Sequence, residues 1–290
     1  MASVRLLSYN VRSLRDDPAA VARVVRAIAP DVVCVQEVPR FWAWRLKRRR
    51  LARACGLRVA AGRRACGLAV LAAPHVRRVA REFHLLTPDA GLHRRALAIA
   101  VLEAGGVPFI AASTHLDLAD APRLRHVDEI LAHLGRARAR YRAPVVLAGD
   151  VNEDPGGESW KVLTRHFQDA YAAAPAGGEL TFSARNPRRR IDAVFTDPSI
   201  RITSCGVPIE DETLTADYPK ATDHRPLVAD VDVGLPETPA AHASALPDRW
   251  GEAEGEPHRE DREAMPRSPR PGHIASASER VGLDCRKHVT

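Results

Sequence analysis

Residues 144–155 read PVVLAGDVNEDP, an apolar stretch that ends abruptly in glycine, aspartate and asparagine. A continuous apolar run of this length, bounded by turn residues, is typical of a strand buried on both faces. The sequence therefore predicts a buried strand over residues 144–148, with Asp150 and Asn152 just beyond its end. Ligand crevices in α/β sheets form at such strand ends.

The same arrangement recurs along the chain. Polar residues lie at the end or the start of an apolar stretch in five further places: Asn10 after VRLLS, Glu37 closing VVCVQE, His115 and Asp117 after FIAAS, Asp192 in RIDAVF, and Asp223 with His224 before PLVADV. Taken singly, each has an ordinary explanation as a turn, a helix start or a structural histidine. Taken together, they predict one polar cluster at an edge of the sheet.

Strands and helices alternate through residues 4–233, which predicts a layered α/β or α+β fold. Asp17 and Pro18 are typical of a helix N-terminus, and Gly105 with Gly106 predicts a hairpin. The hydrophobic pattern also predicts helices over 39–54, from Asp120 and over 159–173, and strands over 57–74, 75–86, 191–196, 200–205 and 227–233.

The composition bounds the class of protein. A chain of 290 residues, 45% of them hydrophobic, is long enough for one large domain or two small ones. The five cysteines are scattered and form no CxxC pair, so neither a disulfide framework nor a zinc site is indicated. No apolar run is long enough to span a bilayer, and residues 1–9 do not resemble a signal peptide. A cytoplasmic location is therefore expected, with a monomer as the default oligomeric state.

The C-terminal part differs in composition from the rest. Residues 236–290 are rich in Pro, Ala, Glu, Arg and Ser and contain few large apolar residues. Such a segment cannot bury enough surface to offset its ordering entropy, so it is predicted to be a disordered tail that follows a folded domain over residues 1–235. The net charge of +7 divides into −2 from Leu235 onward and +9 before it. A basic body suits nucleic acid or a phospholipid surface, although a solvated arginine-rich surface is the simpler explanation.

The motifs SYNV, QEV, THLD, GDVNEDP, RRIDAVF and TDHRPL follow one another between residues 4 and 233. In this order and spacing the sequence resembles the endonuclease/exonuclease/phosphatase superfamily. The resemblance implies a DNase I-like fold, a four-layer α/β sandwich in which two packed mixed β-sheets are flanked by helices. It also implies that residues 1–235 form a catalytic domain, a metal-dependent hydrolase acting on phosphoester bonds.

The resemblance implies a metal site built from oxygen ligands. Glu37 would be the principal metal carboxylate, and Asn10 and Asp223 would support the metal directly or through water. Ligands of this kind suit Mg²⁺ or Mn²⁺ rather than zinc. The implied cofactor is therefore Mg²⁺ or Mn²⁺.

The resemblance also implies five catalytic residues. Asp150 would orient or deprotonate the attacking water, and Asn152 would hold a phosphate oxygen. His224 would contact the scissile phosphate, as general base or as a charged stabiliser. Asp192 would fix its tautomer. His115 would donate to a phosphate oxygen or to the leaving group.

Arginines supply candidate substrate contacts. Arg95 starts a strand that could end near the site, and the run Arg188-Arg189-Arg190 lies just before Asp192, so Arg95 and one arginine of that run, taken as Arg190, are expected to bind substrate. The basic stretch 45–53 follows Glu37, with two tryptophans and a phenylalanine just before it. It either grips a phosphate backbone or a membrane surface, or is a helix with solvated arginines and core aromatics.

The sequence indicates the substrate class less clearly than it indicates the fold or the site residues. Abasic-site repair members of the superfamily carry tyrosine where this chain has His115, which argues against that branch, whereas nucleases, phosphatases and sphingomyelinases share the histidine. The leading prediction is a phosphodiesterase of endonuclease or exonuclease type acting on nucleic acid. The alternatives are a phosphomonoesterase or a phospholipid phosphodiesterase of sphingomyelinase or inositol-phosphate type. A non-catalytic binding module ranks below these, because the acidic residues and histidines of the motifs are all present.

Overall fold

The computed structural model describes residues 1–234, so the prediction of a disordered tail over 236–290 lies outside the described residues. Twelve strands occur in the described part: β1 (Ala2–Asn10), β2 (Val32–Gln36), β3 (Arg58–Ala61), β4 (Ala69–Ala72), β5 (Arg77–Leu85), β6 (Ala96–Ala104), β7 (Val107–His115), β8 (Val145–Asp150), β9 (Gln168–Asp169), β10 (Asp192–Thr196), β11 (Arg201–Gly206) and β12 (Leu227–Val233). Six helices accompany them: α1 (Pro18–Ile28), α2 (Trp44–Ala54), α3 (Asp120–Tyr141), α4 (Glu158–Thr164), α5 (Ala170–Ala173) and α6 (Glu212–Ala221).

The strands form two six-stranded sheets. The first has the order β11-β12-β1-β2-β4-β3 and the second β5-β6-β7-β8-β10-β9. Each sheet contains one parallel pair, β1 with β2 and β7 with β8, among antiparallel neighbours. Both sheets are therefore mixed, as the resemblance implies.

The two sheets pack face to face and carry helices on their outer faces. Along β6, Ala100 and Leu102 point into the core between the sheets. Leu97 and Ile99 point to the other side of β6, into a second core that the apolar face of α3 covers. Since side chains alternate between the two faces of a strand, this split requires a layer on each side of the sheet. The architecture is the predicted four-layer α/β sandwich.

The helix α1 begins and ends where its sequence dictates. Asp17 accepts a hydrogen bond from the backbone N–H of Ala19 at 2.8 Å, and Pro18 occupies the first helical position. Both features are favoured at helix N-termini. Ala29 ends the helix in the left-handed conformation, and the chain enters β2 directly.

Several sequence-based element predictions need correction. The stretch 57–74 contains two short strands, β3 and β4, because Gly62 and Gly67 both have positive φ and turn the chain back on itself. The predicted helix over 159–173 is interrupted by β9 and leaves only α4 and α5. The helix α6 was not predicted.

The expected helix over 39–54 begins only at Trp44. Phe41 and Trp42 lie in the loop before it, and 70% and 85% of their surfaces are exposed. The interpretation of these two aromatics as core residues is therefore wrong.

Candidate active site

The predicted site residues come from both sheets and meet at one end of the sandwich. Asn10 is the last residue of β1 and Glu37 directly follows β2, its neighbour in the first sheet. His115 and Asp150 are the last residues of β7 and β8 in the second sheet. His224 lies just before β12, which returns to the first sheet. Strand ends of both sheets therefore contribute to one polar cluster.

Three of these residues form a row across the second sheet. His115 pairs with Asp150 in the parallel β7–β8 ladder, and Asp150 pairs with Asp192 in the antiparallel β8–β10 ladder. Directly paired residues place their side chains on the same face of a sheet. The register of two ladders thus brings a histidine and two aspartates together.

His224 and Asp192 form a buried carboxylate–histidine pair. Nδ1 of His224 lies 2.8 Å from Oδ2 of Asp192, whose surface is 0% exposed. Burial disfavours the imidazolium, but the charge of Asp192 and its hydrogen bond, with further attraction from Asp150 and Asp223, raise the pKa of His224 to about 10. At neutral pH His224 therefore carries a positive charge that Asp192 orients.

His115 has the opposite protonation state. Burial lowers the pKa of its imidazole to about 4, and the positive charges of Arg95 and His224 act in the same direction. Its Nε2 lies 3.5 Å from Oδ2 of Asp150. A neutral histidine and a charged one consequently face the same carboxylate, since Nε2 of His224 is 3.7 Å from that oxygen. Such separation of pKa values is how enzymes divide acid and base roles between similar groups.

Asn10 links the carboxylates of the two sheets. Its Nδ2 donates to Oδ2 of Asp150 at 3.0 Å and lies 3.3 Å from Oε1 of Glu37. Its Oδ1 accepts from the backbone N–H of Arg12 at 3.1 Å. Asn10 thus directs its amide N–H groups, and not its Oδ1, towards the two carboxylates. It therefore supports a metal site indirectly, by positioning Glu37 and Asp150, rather than as a direct ligand.

Two site residues have a positive φ, a backbone conformation that residues other than glycine rarely adopt. Glu37 has φ of 52° and Asn152 has φ of 56°. Positions of this kind cluster at functional sites because the surrounding structure maintains the strain. The Nδ2 of Asn152 donates to the carbonyl oxygen of Leu116 at 2.9 Å, which orients its side chain beside the end of β7.

Two groups of residues could hold a metal. Asp150, Asp192 and His224 each offer a ligand atom, and these atoms lie within 4.8 Å of one another. The second group is Glu37 with Asp150, which Asn10 joins. Because Nδ1 of His224 is already bonded to Asp192 and His224 is protonated at neutral pH, the first group is better explained as a charge pair. An oxygen-only set around Glu37 suits a hard divalent cation.

Asp223, the third predicted metal residue, is half-exposed. Its Oδ2 lies 3.3 Å from Nε of Arg12, and Oγ1 of Thr222 donates to its Oδ1 at 3.2 Å. One oxygen of the Asp223 carboxylate is therefore paired with Arg12. Asp223 nevertheless acts on the site electrostatically, because it helps to raise the pKa of His224.

The two predicted substrate arginines have different surroundings. Nε of Arg95 lies 3.1 Å from Oδ2 of Asp117, and the charge of Arg95 helps to keep His115 neutral, so Arg95 belongs to the edge of the site. Arg190 is buried, and its Nη1 lies 2.9 Å from Asp169. Its guanidinium also packs on the rings of Trp160 and Tyr171. Through these contacts Arg190 holds β9, α4 and α5 together. Arg190 is therefore not proposed as a substrate contact.

Three residues around the site were not identified from the sequence. The ring of Phe182 lies 5.0 Å from that of His224 and covers one side of it. Oγ1 of Thr181 accepts from the backbone N–H groups of Ile191 and Asp192, which fixes the start of β10. Arg12 contacts Asp223. Neither Thr181 nor Phe182 lies at the end of an apolar run, so the pattern that marks the other residues gives no signal for them.

Comparison with known proteins agrees with this fold and site. The family model of the Endonuclease/Exonuclease/phosphatase family matches residues 7–224. The chain therefore belongs to this family, whose members are typically phosphoesterases that use a divalent metal. A search of curated protein sequences gives no match.

Solved structures with the same fold span the described part of the chain. An endonuclease/exonuclease/phosphatase from Bacteroides vulgatus is 20% identical, with 81% of this chain and 100% of that chain covered and a TM-score of 0.67. A mannosyl-6-phosphatase from Bacteroides thetaiotaomicron is 19% identical over 80% of this chain and 100% of that chain, with a TM-score of 0.67. The human nocturnin catalytic domain with bound sulfate is 17% identical over 80% and 94%, with a TM-score of 0.63. Identities this low establish the shared fold alone.

Within residues 1–234, no helix combines the length and the apolar character needed to cross a bilayer.

Proposed function

We propose that the chain is a Mg²⁺- or Mn²⁺-dependent phosphodiesterase that hydrolyses nucleic acid. The arrangement that carries the proposal is the His224–Asp192 pair beside Asp150, with the neutral His115 on the other side of the same carboxylate. A phosphodiester is anionic and resists nucleophilic attack, so a site that hydrolyses it needs cations for the phosphate and an acceptor for a proton of water. This arrangement offers both.

Asp150 is the proposed group that orients and deprotonates the attacking water. Its Oδ2 is reached by Asn10 and by both histidines, and its Oδ1 accepts from the backbone N–H of Asn152 at 3.0 Å. A base held on several sides is fixed in one geometry, which favours in-line attack. A positioned acid or base contributes about 10²–10⁴-fold to the rate.

His224 is the proposed cation that contacts a non-bridging phosphate oxygen. Its raised pKa supports a charged stabiliser over a general base, the two roles that the resemblance implied. Asp192 orients the ring through Nδ1, and Nε2 faces Oδ2 of Asp150 at 3.7 Å. Asn152 is the proposed amide donor to the phosphate, and His115 is proposed to donate to a phosphate oxygen or to the leaving group.

Glu37 is the residue proposed to hold the divalent ion, with Asn10 and Asp223 as supporting groups. When bound, such an ion neutralises the charge that develops on the phosphate oxygens. The charge of the chain supports nucleic acid as the substrate: the tail from Leu235 carries −2, so the residues before it carry +9. An electrostatic contribution to affinity of this kind is common to nucleic-acid enzymes.

The test is turnover of the full chain on parallel substrates with Mg²⁺ and with EDTA: plasmid, single-stranded RNA, sphingomyelin, a phosphoinositide, and bis-p-nitrophenyl phosphate beside its monoester. We expect metal-dependent cleavage of plasmid or RNA and of the diester. Glu37→Ala and His224→Ala should abolish it while the unfolding midpoint shows that each variant is folded. Glu103→Gln, which alters a carboxylate paired with Arg77 at the far end of β6, is the matched control and should retain activity.

The outcomes separate the proposals. Turnover confined to lipid or monoester would replace the nucleic-acid substrate by the phosphatase or phospholipase alternative. Activity that survives in Glu37→Ala would refute the metal assignment. Silence on every substrate would favour the non-catalytic binding module.

A further inference from the structure

An unusual surface lies directly beyond Glu37, in the loop 38–43 and the helix α2. Phe41 and Trp42, at the tip of this loop, are 70% and 85% exposed, and Leu46 on the first turn of α2 is also exposed. Exposed apolar residues that adjoin one another, unlike single ones, often mark an interaction site. We call the loop 38–43 with α2 the aromatic-basic face.

The exposed cations of this face have no acidic partner among residues 1–234. Lys47, Arg49, Arg50 and Arg53 are exposed and form no ion pair with any residue of the described range 1–234. Other arginines of the described range do form ion pairs, as in Arg5 with Asp230, Arg77 with Glu103 and Arg201 with Asp232. One short helix therefore carries four exposed cations whose charge no carboxylate of residues 1–234 neutralises.

The face adjoins the candidate active site. Trp42 is five residues from Glu37, and five residues span at most about 18 Å of extended chain. The backbone N–H of Val38 donates to the carbonyl oxygen of Gly67 at 2.8 Å, which anchors the base of the loop. Between α1 and α2 runs a groove of about 580 Å³ with Leu14, Pro39 and Leu51 on its apolar lining and Arg26, Lys47 and Arg50 among its cations. Ser13 also lines the groove, and its backbone N–H donates to the carbonyl oxygen of Glu37 at 2.7 Å, so one end of the groove lies against the backbone of the site.

We propose that the aromatic-basic face binds single-stranded nucleic acid and leads it to the site. Unpaired bases present π-faces that stack on Phe41 and Trp42, while the phosphates contact the unpaired cations of α2. Surfaces that combine aromatic platforms with a cationic track bind single strands in this way. In a duplex the base faces are stacked on one another, so they are not available to stack on Phe41 and Trp42. This inference rests on the proposed function and names the form of nucleic acid that the site receives.

A lipid surface fits the face less well. A helix that lies in a membrane interface inserts an apolar face between the headgroups. In α2 the apolar residues Leu51 and Ala52 are buried in the core of the protein, so the side that faces water is mainly cationic. Only the short loop tip and Leu46 offer apolar contact. Stacking with salt-dependent phosphate contacts uses both features of the face at once.

The test is binding of a fluorescein-labelled oligothymidylate to the full chain, followed by fluorescence anisotropy in EDTA so that no hydrolysis occurs. The double variant Phe41→Ala/Trp42→Ala should weaken binding roughly 5- to 150-fold for each base that loses its stacking partner. Ile209→Ala, which removes another exposed apolar side chain, is the matched control and should bind as the parent does.

Salt dependence tests the cations separately. Arg49→Ala/Arg50→Ala should reduce the slope of log K against log salt by about 0.7 for each phosphate that these arginines neutralise in the parent. Arg77→Ala, which removes an arginine paired with Glu103, should leave the slope unchanged. The unfolding midpoint of every variant shows whether it is folded.

Each result decides the inference. Weaker binding in the aromatic variant but not in Ile209→Ala, with preference for the single strand over a duplex, supports it. Equal binding by parent and aromatic variant, or equal affinity for the duplex, overturns it. Flotation with anionic phosphatidylserine vesicles that depends on Phe41 and Trp42, without any effect on oligonucleotide binding, overturns it in favour of a membrane surface. Because these assays need no turnover, they fail independently of the proposed hydrolysis.

Discussion

Replacing Asp192 by asparagine tests the central pair of the site with the smallest change in shape. The side chain is fully buried, and its Oδ2 lies 2.8 Å from Nδ1 of His224. Its charge and its hydrogen bond are the two largest effects that raise the pKa of His224. Asp192→Asn keeps the volume but removes the charge, so the pKa of His224 should fall and the orientation of its ring should be lost.

The magnitude follows from the role of the pair. Removing one preorganised donor that stabilises the charge of a transition state costs about 10²–10³-fold in kcat, which corresponds to about 2.7–4.1 kcal/mol at 1.36 kcal/mol per tenfold. We expect kcat for bis-p-nitrophenyl phosphate to fall by that factor while KM changes little. Loss of one member of a buried charge pair typically costs about 3–5 kcal/mol of unfolding free energy, so urea unfolding must accompany the kinetics.

The matched control is Asp197→Asn. Asp197 is also buried and directly follows β10, but its Oδ2 lies 2.9 Å from Nε of Arg138, outside the site. This variant should lose stability and keep its kcat once folded. Asp192→Asn with kcat within about threefold of the parent would refute the role assigned to the pair.

Three further predictions concern the rest of the molecule. Gly149→Ala places a Cβ atom 2.1 Å from the carbonyl oxygen of Thr114, so the unfolding free energy should fall by roughly 1–3 kcal/mol and turnover should fall as Asp150 moves; a variant as stable and active as the parent would contradict this. Arg5 donates to Asp230 and lowers the pKa of its carboxyl, so the stabilisation is present above the unfolded-state pKa of about 3.9 and is lost below it. Asp230→Asn should therefore cost about 0.2–1 kcal/mol in urea unfolding at pH 7 and nothing measurable near pH 2, and an equal cost at both pH values would argue against the pair. Deleting residues 237–290 should leave the thermal unfolding midpoint unchanged, and a much lower midpoint would show that the tail is part of the fold.

The sequence was most informative where an apolar strand ends in a polar residue. Such ends are local patterns, and Asn10, Glu37, His115 and Asp150 are all predicted from them. The register of neighbouring strands brings these residues together. The alternation of apolar residues along each strand constrains that register.

Interactions between distant segments could not be predicted in the same way. Arg190 reads as a free cation beside Asp192, yet Asp169 and two aromatic rings from another segment enclose it. Phe182 contacts His224 from a stretch without any regular pattern. The sequence pattern does not predict α6, because Pro219 lies inside the helix and few apolar residues mark its inner face. Each case depends on partners far along the chain, and a single sequence does not reveal such partners.

The row of His115, Asp150 and Asp192 also bears on how this protein can change over evolution. Backbone ladders set the spacing of these three side chains, whereas the parts of the loops that lie beyond Glu37, Asp117 and Asn152 are outside the row. Insertions or exchanges in those loops can therefore alter which molecule is admitted without moving the reacting groups. A shift of one residue in either ladder, by contrast, would turn the affected side chain to the opposite face and eliminate the chemistry in a single step.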